Sequence, residues 1–305
     1  MSADALAARP RPWRLWRWWL VVAVVVGLAV AAYLLKPVVG PPRDLTLVGD
    51  VARGTYLIRL AGCISCHTDR DHDGAYLAGG AAIVTAFGTF YPPNITPDPQ
   101  TGIGGWTLAQ FSDAVSDGNG PHGNLYPVFP YNDLTLMSDQ EIADLFAAIM
   151  ATPPVVNTPP ANRIVFPLNF RFLVSGWKNL FFFPHRYRND PAHSAQWNRG
   201  AYLANGPAHC VTCHSPVNVL GAVMSGTQFE GNPAGGASGK TPPLTALALV
   251  QDGYTIDTLA QTLRTGVTPN AGKVGAEMEP VISDDTSHWT DADLTAIATY
   301  LLSSK

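Results

Sequence analysis

The sequence predicts a mainly α-helical chain in which one apolar N-terminal helix precedes two tandem helical domains with long loops. Three observations support this fold class: an apolar run over residues 18–35, a repeat at an offset of about 148 residues, and a composition with 28 Gly, 26 Pro and only 14% charged residues. They indicate a membrane span, a duplicated domain and abundant loops, respectively. The net charge of −4 and the pI near 6.0 argue against a nucleic-acid partner.

The apolar run over 18–35 favours a transmembrane anchor. As a helix it is about 27 Å long, close to the thickness of a hydrocarbon core of about 30 Å. Four arginines precede it, which predicts a cytoplasmic N-terminus over 1–17: Arg9, Arg11, Arg14 and Arg17. A cleaved signal peptide is the alternative, with Ala29-Val30-Ala31 as the cleavage site. The run continues beyond Ala31, so we expect a retained single-pass anchor in a bacterial inner membrane, with the remaining chain in the periplasm.

Two pentapeptides contain all four cysteines. They are Cys63-Ile64-Ser65-Cys66-His67 and Cys210-Val211-Thr212-Cys213-His214. C-x-x-C-H is the attachment signature of a c-type haem: the two thiols form thioether bonds to the porphyrin, and the histidine lies beneath the iron. The sequence therefore predicts two covalently attached haem c groups, with His67 and His214 as metal ligands.

Other uses of paired cysteines explain these motifs less well. A thioredoxin-like C-x-x-C belongs to a βαβ pattern, and no run of β-branched residues precedes either motif. A structural zinc site needs two pairs roughly 15–20 residues apart, whereas these pairs are 144 residues apart. A disulfide within each motif is possible in an oxidising compartment, but it leaves the adjacent histidine unexplained.

The repeat sets the predicted domain boundaries. A linker over 36–48 leads to a first domain over 49–150, and a second linker over 151–191 leads to a second domain over 192–305. Each domain contains a helix, the C-x-x-C-H motif, long loops, a helix that ends at a glycine, and a C-terminal helix with a capping Ser or Thr. The glycines are Gly118 and Gly266, and the caps are Ser138 and Thr290.

Methionine opposite histidine would make each haem an electron-transfer site, because the thioether raises the reduction potential. Met137 and Met278 follow their histidines by 70 and 64 residues, each in a loop before the C-terminal helix. We therefore predict them as metal ligands, one in each domain. The remaining methionines are the start residue, one on an apolar helix face and one too close to the second motif: Met1, Met150 and Met224.

Two alternatives remain for these positions. Met137 directly precedes the Ser138 cap, so it could simply pack against the start of the helix. His122, in Gly-Pro-His-Gly, could reach a haem, although an exposed loop histidine is the favoured interpretation. The aromatic segment 177–184 in the second linker has three possible roles: filling the seam between the domains, which we favour, contacting the membrane, or docking a partner.

The chain resembles the membrane-anchored multihaem c-type cytochrome subunits of periplasmic alcohol, gluconate and aldehyde dehydrogenases. The resemblance covers residues 45–303. Beyond the haem motifs, it rests on Pro93-Asn94-Ile95-Thr96-Pro97-Asp98 with Thr101-Gly102-Ile103-Gly104, on Leu125-Tyr126-Pro127-Val128-Phe129-Pro130-Tyr131, on Trp197-Asn198-Arg199-Gly200-Ala201-Tyr202-Leu203 and on Glu277-Met278. It implies two class I-type cytochrome c domains. Family members often place the ligand methionine where this chain has Phe129; in others it directly precedes the C-terminal helix, as Met137 does here.

The resemblance implies an electron-transfer protein rather than an enzyme, with a dehydrogenase catalytic subunit or another respiratory protein as its redox partner. The alternative is a dihaem redox enzyme, peroxidase-like or thiosulfate-oxidising, with an open or displaceable iron position at the first haem. Two matched methionines argue against that alternative. A third hypothesis is a haem-based sensor or a structural subunit of a respiratory assembly, and the short segment before the anchor disfavours a sensor.

Overall fold

The computed structural model describes residues 12–236, 239–275 and 277–303, and most of the regular structure in these ranges is helical. The helices are α1 (Pro12–Leu34), α2 (Val51–Leu60), α3 (Cys63–His67), α4 (Leu108–Asp117), α5 (Tyr131–Leu134), α6 (Asp139–Met150), α7 (Leu173–Phe181), α8 (Ala195–Asn205), α9 (Cys210–Cys213), α10 (Ala246–Gln251), α11 (Ile256–Thr265), α12 (Met278–Asp284) and α13 (Asp291–Leu301). Short antiparallel strands pair as β1 (Ile83–Thr85) with β2 (Gly88–Phe90), β3 (Asn119–Gly120) with β4 (Gly123–Asn124), β2 with β5 (Arg163–Ile164), and β6 (Asn232–Gly236) with β7 (Gly239–Thr241).

Helix α1 contains the predicted apolar run except for Leu35, which lies in the turn that follows. Residues 16–34 have a mean hydropathy of 2.0, and none of their most apolar window is buried against the rest of the chain. The helix is long and apolar enough to cross a membrane, as a signal sequence can also be. Arg9 and Arg11, on which the orientation partly depends, lie outside the described residues.

One helix pair closes each half of the chain, and a glycine lies at each crossing. Gly54 on α2 packs so tightly on α6 that a Cβ there would overlap the Asp144 carbonyl oxygen. Gly200 on α8 meets the Ala296 carbonyl of α13 in the same way. An ion pair flanks each crossing, with Nε–Oδ distances of 2.7 Å: Arg53 with Asp144, and Arg199 with Asp293.

Alanine at either crossing is expected to destabilise the fold, because the added methyl group must push two helices apart. Overpacking of this kind costs about 1–3 kcal/mol or more, so Gly54→Ala and Gly200→Ala should each lower the thermal midpoint by several degrees. Scanning calorimetry measures the shift. Gly105→Ala is the matched control, since a Cβ at Gly105 has no heavy atom within 4 Å. Equal midpoints for Gly54→Ala and Gly105→Ala would contradict the proposed crossing.

The predicted helix boundaries are confirmed. Ser138 and Thr290 accept hydrogen bonds from the backbone N–H groups of Glu141 and Asp293, and Ser138 with Glu141 forms a reciprocal capping box. The helices predicted to end at a glycine are α4 and α11. They end at Gly118 and Gly266, which both lie in the left-handed region, with φ of 63° and 73°. Only glycine adopts that conformation without steric cost.

Two hydrophobic cores follow the two halves of the repeat. The first consists of buried residues between 57 and 149, and the second mainly of residues between 202 and 301. The second core also contains Leu60 and Leu136 from the first half. The halves therefore share apolar contact. The division into 49–150 and 192–305 remains a prediction.

The segment predicted as a linker over 151–191 contains regular structure. It supplies strand β5 and helix α7, so only part of it is an extended connection. Phe182 is buried with its ring centroid 5.0 Å from that of Tyr131, and Trp177 donates its ring N–H to the Leu220 carbonyl over 2.9 Å. The aromatic segment therefore bridges the two halves through Trp177 and Phe182, as the seam interpretation predicts, while Phe183 remains exposed.

Candidate haem sites

The first C-x-x-C-H motif forms the one-turn helix α3. It begins after Gly62, which has a left-handed conformation with φ of 61°. Cys63 and Cys66 are three residues apart on this turn, so their thiols lie on the same side of it, and both are free. Burial raises the pKa of the Cys66 thiol to about 11, so it is protonated at neutral pH. Two reduced thiols on one side of a helical turn are what thioether attachment to a porphyrin requires.

The His67 ring is held by the backbone. Its Nδ1 lies 2.8 Å from the Pro93 carbonyl oxygen, which can only accept, so Nδ1 carries the proton and donates it. The other ring nitrogen, Nε2, then has a free lone pair for a metal. Burial lowers the pKa of His67, which favours this neutral form. The Gly79 N–H donates to the His67 carbonyl over 2.7 Å and fixes the backbone as well.

The second motif repeats this geometry. Its thiols lie on the single turn α9, and the His214 Nδ1 is 2.8 Å from the Pro242 carbonyl oxygen. The Gly231 N–H donates to the His214 carbonyl over 2.8 Å. Burial again lowers the pKa of the histidine. A non-glycine residue, His209, holds the left-handed position before this turn, with φ of 40°. Its ring lies against the other half, since a Cβ on Gly62 would be 3.0 Å from the His209 Nε2.

These residues fit haem c better than the alternatives. All four cysteines are free, which is inconsistent with a disulfide within either motif. No group of three or more His, Cys, Asp or Glu side chains within residues 12–236, 239–275 and 277–303 is arranged to hold a metal ion, which disfavours zinc. Each motif instead offers two thiols and one oriented imidazole nitrogen. Cys63, Cys66 and His67 would hold one haem, and Cys210, Cys213 and His214 would hold the other.

The two predicted methionine ligands do not occupy equivalent positions. Met137 is fully buried in the first core and directly precedes the Ser138 cap. The residue that directly precedes the Thr290 cap is Trp289, which is also buried. Met137 therefore matches Trp289 rather than Met278 in the repeat.

Met278 has surroundings closer to those of a ligand. It is the first residue of α12 and lines a cavity of about 40 Å³ together with Cys210, Leu263 and Trp289. The other candidates behave as the sequence predicts: Met224 is 44% exposed, and His122 is exposed between β3 and β4. Met278 thus lines a cavity that reaches both motifs, at Cys210 of the second and Ser65 of the first, whereas Met137 is enclosed by its core.

The two halves contact each other through reciprocal hydrogen bonds. The Tyr56 hydroxyl donates to Asp293 Oδ2 over 2.6 Å, and the Tyr202 hydroxyl donates to Glu141 Oε2 over 2.8 Å. Each tyrosine belongs to the first helix of one half, and each carboxylate to the last helix of the other. The contact therefore has approximate two-fold symmetry.

The same symmetry brings the haem motifs together. Within the second motif, Thr212 donates its hydroxyl hydrogen to Asp133 of the first half. Within the first motif, Ser65 donates to the Gly62 carbonyl over 3.0 Å and lines one cavity with Asp285 of the second half. That cavity is also lined by Gly62, which precedes the first motif, and by His209 and Cys210 at the start of the second, so the two attachment turns lie close together.

Sequence reasoning missed Asp133 and Asp285. Each lies five residues before the cap of its C-terminal helix, Ser138 or Thr290, so alignment from the caps finds them. They are 7% and 2% exposed. Burial raises the pKa of each carboxyl to about 7, and the hydroxyl of Thr212 or Ser65 partly opposes that shift.

These carboxyls predict a pH-dependent stability. The folded chain keeps their protons up to about pH 7, whereas the ordinary carboxyl pKa is 3.8, so the free energy of unfolding should fall as the pH rises from about 4 to about 7. The double variant Asp133→Asn/Asp285→Asn should lose this part of the slope, which guanidinium unfolding at several pH values measures. Asp252→Asn, at an exposed site, is the control and should keep the slope. An unchanged slope in the double variant contradicts the prediction.

Comparison with known proteins supports the same class of site. No family model matches the chain. The chain is 35% identical over 283 residues to the diheme cytochrome c-type protein of Cereibacter sphaeroides, covering 91% of this chain and 94% of that protein. It is 37% identical over 258 residues to the fructose dehydrogenase cytochrome subunit of Gluconobacter japonicus, covering 83% of this chain and 52% of that subunit.

A longer relative belongs to another dehydrogenase. The chain is 37% identical over 299 residues to a nicotinate dehydrogenase subunit of Pseudomonas putida, covering 94% of this chain and 25% of that relative. The chain thus spans about half the length of the fructose dehydrogenase relative and a quarter of the nicotinate dehydrogenase one.

A mainly helical chain with C-x-x-C-H motifs and backbone-oriented histidines is a cytochrome c. Given the similarity along almost its whole length, the chain belongs to the dihaem c-type cytochromes related to the cytochrome c subunits of dehydrogenases. It is an electron-transfer protein, as cytochrome c subunits are. These relatives give no support to a peroxidase-like or thiosulfate-oxidising function.

Proposed function

We propose that this chain is the dihaem electron-transfer subunit of a bacterial dehydrogenase, held at the inner membrane by α1 with its haem-bearing part in the periplasm. The observation that carries the proposal is the contact between the two C-x-x-C-H motifs: Thr212 of the second motif donates to Asp133 of the first half, and Ser65 of the first motif lines one cavity with Cys210 of the second. A contact of this kind suits two redox groups that exchange electrons. Residues 49–150 and 192–305 would then form tandem class I-type cytochrome c domains.

When bound, each haem c supplies a reversible one-electron couple. The protein's residues fix and tune that couple. The Pro93 and Pro242 carbonyls orient His67 and His214. A hydrogen bond from Nδ1, the ring nitrogen that does not bind iron, makes an imidazole a stronger ligand. Met278 is the proposed sixth ligand in the second half, where its thioether would raise the potential. In the first half, Met137 remains the predicted ligand.

The cavity between the motifs is lined by apolar side chains, among them Leu60, Leu263 and Ile297, beside the polar Arg59 and Asp285. Asp133 accepts the hydrogen bond from Thr212, Asp285 lines the cavity beside Ser65, and burial raises the pKa of both carboxyls to about 7. They are therefore largely protonated below neutral pH. Fixed hydrogen bonds across the seam also hold the two attachment turns in one orientation, which keeps the distance between the redox groups constant.

The names of the relatives support the choice of partner. Cytochrome c subunits of fructose, alcohol and gluconate dehydrogenases are among them, so the proposed donor is the catalytic subunit of a periplasmic dehydrogenase. Helix α1 supports attachment to the membrane, since the most apolar part of residues 16–34 is unburied in the described chain. Lys36 and the Pro-rich stretch that follows would then lead into the periplasm.

Gentle purification from native membranes tests this function. We expect the chain to copurify with a dehydrogenase catalytic subunit. The enzyme's substrate should reduce the c-type haem within the time of one catalytic turnover, which the absorbance spectrum of the haem reports. The same preparation without substrate is the control. The proposal fails if the substrate reduces the dehydrogenase while the haem stays oxidised. It also fails if the isolated chain turns over peroxide at an enzymatic rate.

A further inference from the structure

The segment that bridges the two halves also presents an exposed apolar surface beside the membrane helix. Three phenylalanines precede α7, and their rings are 45–79% exposed; Leu180 and Phe183 are 50% and 71% exposed. The rings form a chain of contacts, with centroids 5.8–5.9 Å apart. We call this the aromatic surface: Phe166, Phe170, Phe172, Leu173, Leu180 and Phe183.

Helix α7 is fixed to the protein by its opposite face. Val174, Ser175 and Lys178 are buried, and the Lys178 ammonium donates to the side-chain oxygens of Asn119 and Asn124 over 2.6 and 3.1 Å. Burial lowers the pKa of Lys178 to about 8, which leaves the ammonium as the main form at pH 7 and able to donate to these oxygens. One side of α7 is therefore fixed to the first half by these hydrogen bonds, and the opposite, apolar side points to solvent.

The outward face of α7 is the one that touches the anchor. Leu173, Gly176 and Leu180 lie three and four residues apart, which places them on one side of the helix. A Cβ on Gly176 would lie 3.8 Å from the Leu34 Cβ, and Asn179 donates to the Leu34 and Lys36 carbonyls over 3.3 and 2.7 Å. Helix α7 thus lies where α1 ends, at the depth expected of lipid headgroups when α1 spans the bilayer.

The charge of the segment also matches a lipid surface. Residues 151–189 contain no Asp or Glu, although the chain has 23 acidic residues. Of the five cations in this stretch, Arg163, Arg171 and Arg188 are exposed, whereas Lys178 is buried and Arg186 is paired with Asp139. Aromatic rings next to basic side chains are typical of protein surfaces that lie in the interface of an anionic bilayer.

From these observations we infer that the aromatic surface is a second membrane contact, inserted into the headgroup region of the bilayer that α1 spans. It would hold the cytochrome at a fixed tilt, with both haem motifs at a defined height above the membrane. A single spanning helix followed by a loop could not fix that orientation. The inference rests on the proposed role of α1 as a retained anchor.

Photolabelling of the full-length holoprotein in nanodiscs tests the inference. The nanodiscs contain phosphatidylethanolamine, phosphatidylglycerol and a photoactivatable phospholipid with its reactive group near the headgroup, and labelled peptides are identified by mass spectrometry. We expect label on α1 and on the 166–183 peptide. Helix α10 should stay at background; it is the internal control, because its Leu247 and Val250 are 70% and 61% exposed but distant in sequence from the anchor.

A matched variant makes the outcome specific. Phe166→Ser/Phe170→Ser/Phe172→Ser changes exposed rings only, so it should keep its haem spectrum and its label on α1, while label on 166–183 falls to the α10 background. In the unaltered protein, label on α1 together with background label on 166–183 overturns the inference; a partner protein or a second copy would then cover that surface. Absence of label on α1 overturns the anchor itself, so the two failures can be told apart.

Discussion

Replacing Cys210 and Cys213 together by alanine is expected to leave one covalently bound haem per chain, because the second attachment turn then has no thiol for a thioether bond. The mirror variant Cys63→Ala/Cys66→Ala should also leave one, and the fourfold variant none. A pyridine haemochrome assay, normalised to protein after denaturation, counts the haems. Two haems in either double variant would contradict the assignment of one group to each motif.

The same double variants separate attachment from electron flow. With one redox group removed, substrate-driven electron flow through the dehydrogenase complex should stop, whereas the catalytic subunit alone should still reduce an artificial dye. Val219→Ala is a suitable control, since Val219 is 92% exposed and lies outside both motifs. Full electron flow in both double variants would mean that the two haems do not act in series.

Replacing Met278 by leucine is expected to lower the reduction potential of one haem by on the order of 100 mV, a modest part of the ~0.8 V range that axial ligands span. Leucine nearly conserves the volume of methionine, so the cost in stability should stay below about 1.5 kcal/mol. The altered iron should also bind carbon monoxide when reduced. Spectroelectrochemical titration resolves the two potentials. Met224→Leu is the control at an exposed site, and two unchanged potentials in Met278→Leu would refute the ligand assignment.

The corresponding variant Met137→Leu tests the ligand prediction for the first half. If Met137 binds iron, the other haem should show the same fall in potential and the same reactivity. If both potentials are unchanged and only the thermal midpoint moves, Met137 packs the first core as Trp289 packs the second. That result would also make the two haems of this chain chemically unequal.

The features predicted from sequence are those encoded by short spacings. Thiols three residues apart, a cap followed three residues later by an acidic side chain, and a glycine at a helix end each depend on one helical turn. For that reason α3, the caps at Ser138 and Thr290 and the ends at Gly118 and Gly266 could be located from the sequence alone.

Contacts between distant residues could not be predicted in this way. The Pro93 and Pro242 carbonyls reach their histidines from 26 and 28 residues away, and Asp133 reaches Thr212 across 79 residues. Such partners are set by the packing of the two halves, which spacing does not encode. Helix α7 was missed because its aromatic residues lie between proline-rich stretches.

The methionine pairing shows how the choice of reference residue matters. Counted from the histidines, Met137 and Met278 are nearly equivalent, at 70 and 64 residues. Counted back from the helix caps, Met137 stands one residue before Ser138, while Met278 stands twelve before Thr290. The caps are the better reference, because the C-terminal helices pack against fixed partners whereas the loops after the motifs differ in length.

Electron paramagnetic resonance of the oxidised protein tests the central claim most directly, namely that the two haem motifs face each other across the seam made by Asp133 and Asp285. Two ferric irons bound to adjacent attachment turns should broaden each other's signals. The spectrum of the unaltered protein should therefore differ from the sum of the spectra of Cys63→Ala/Cys66→Ala and Cys210→Ala/Cys213→Ala. A spectrum equal to that sum would contradict the account.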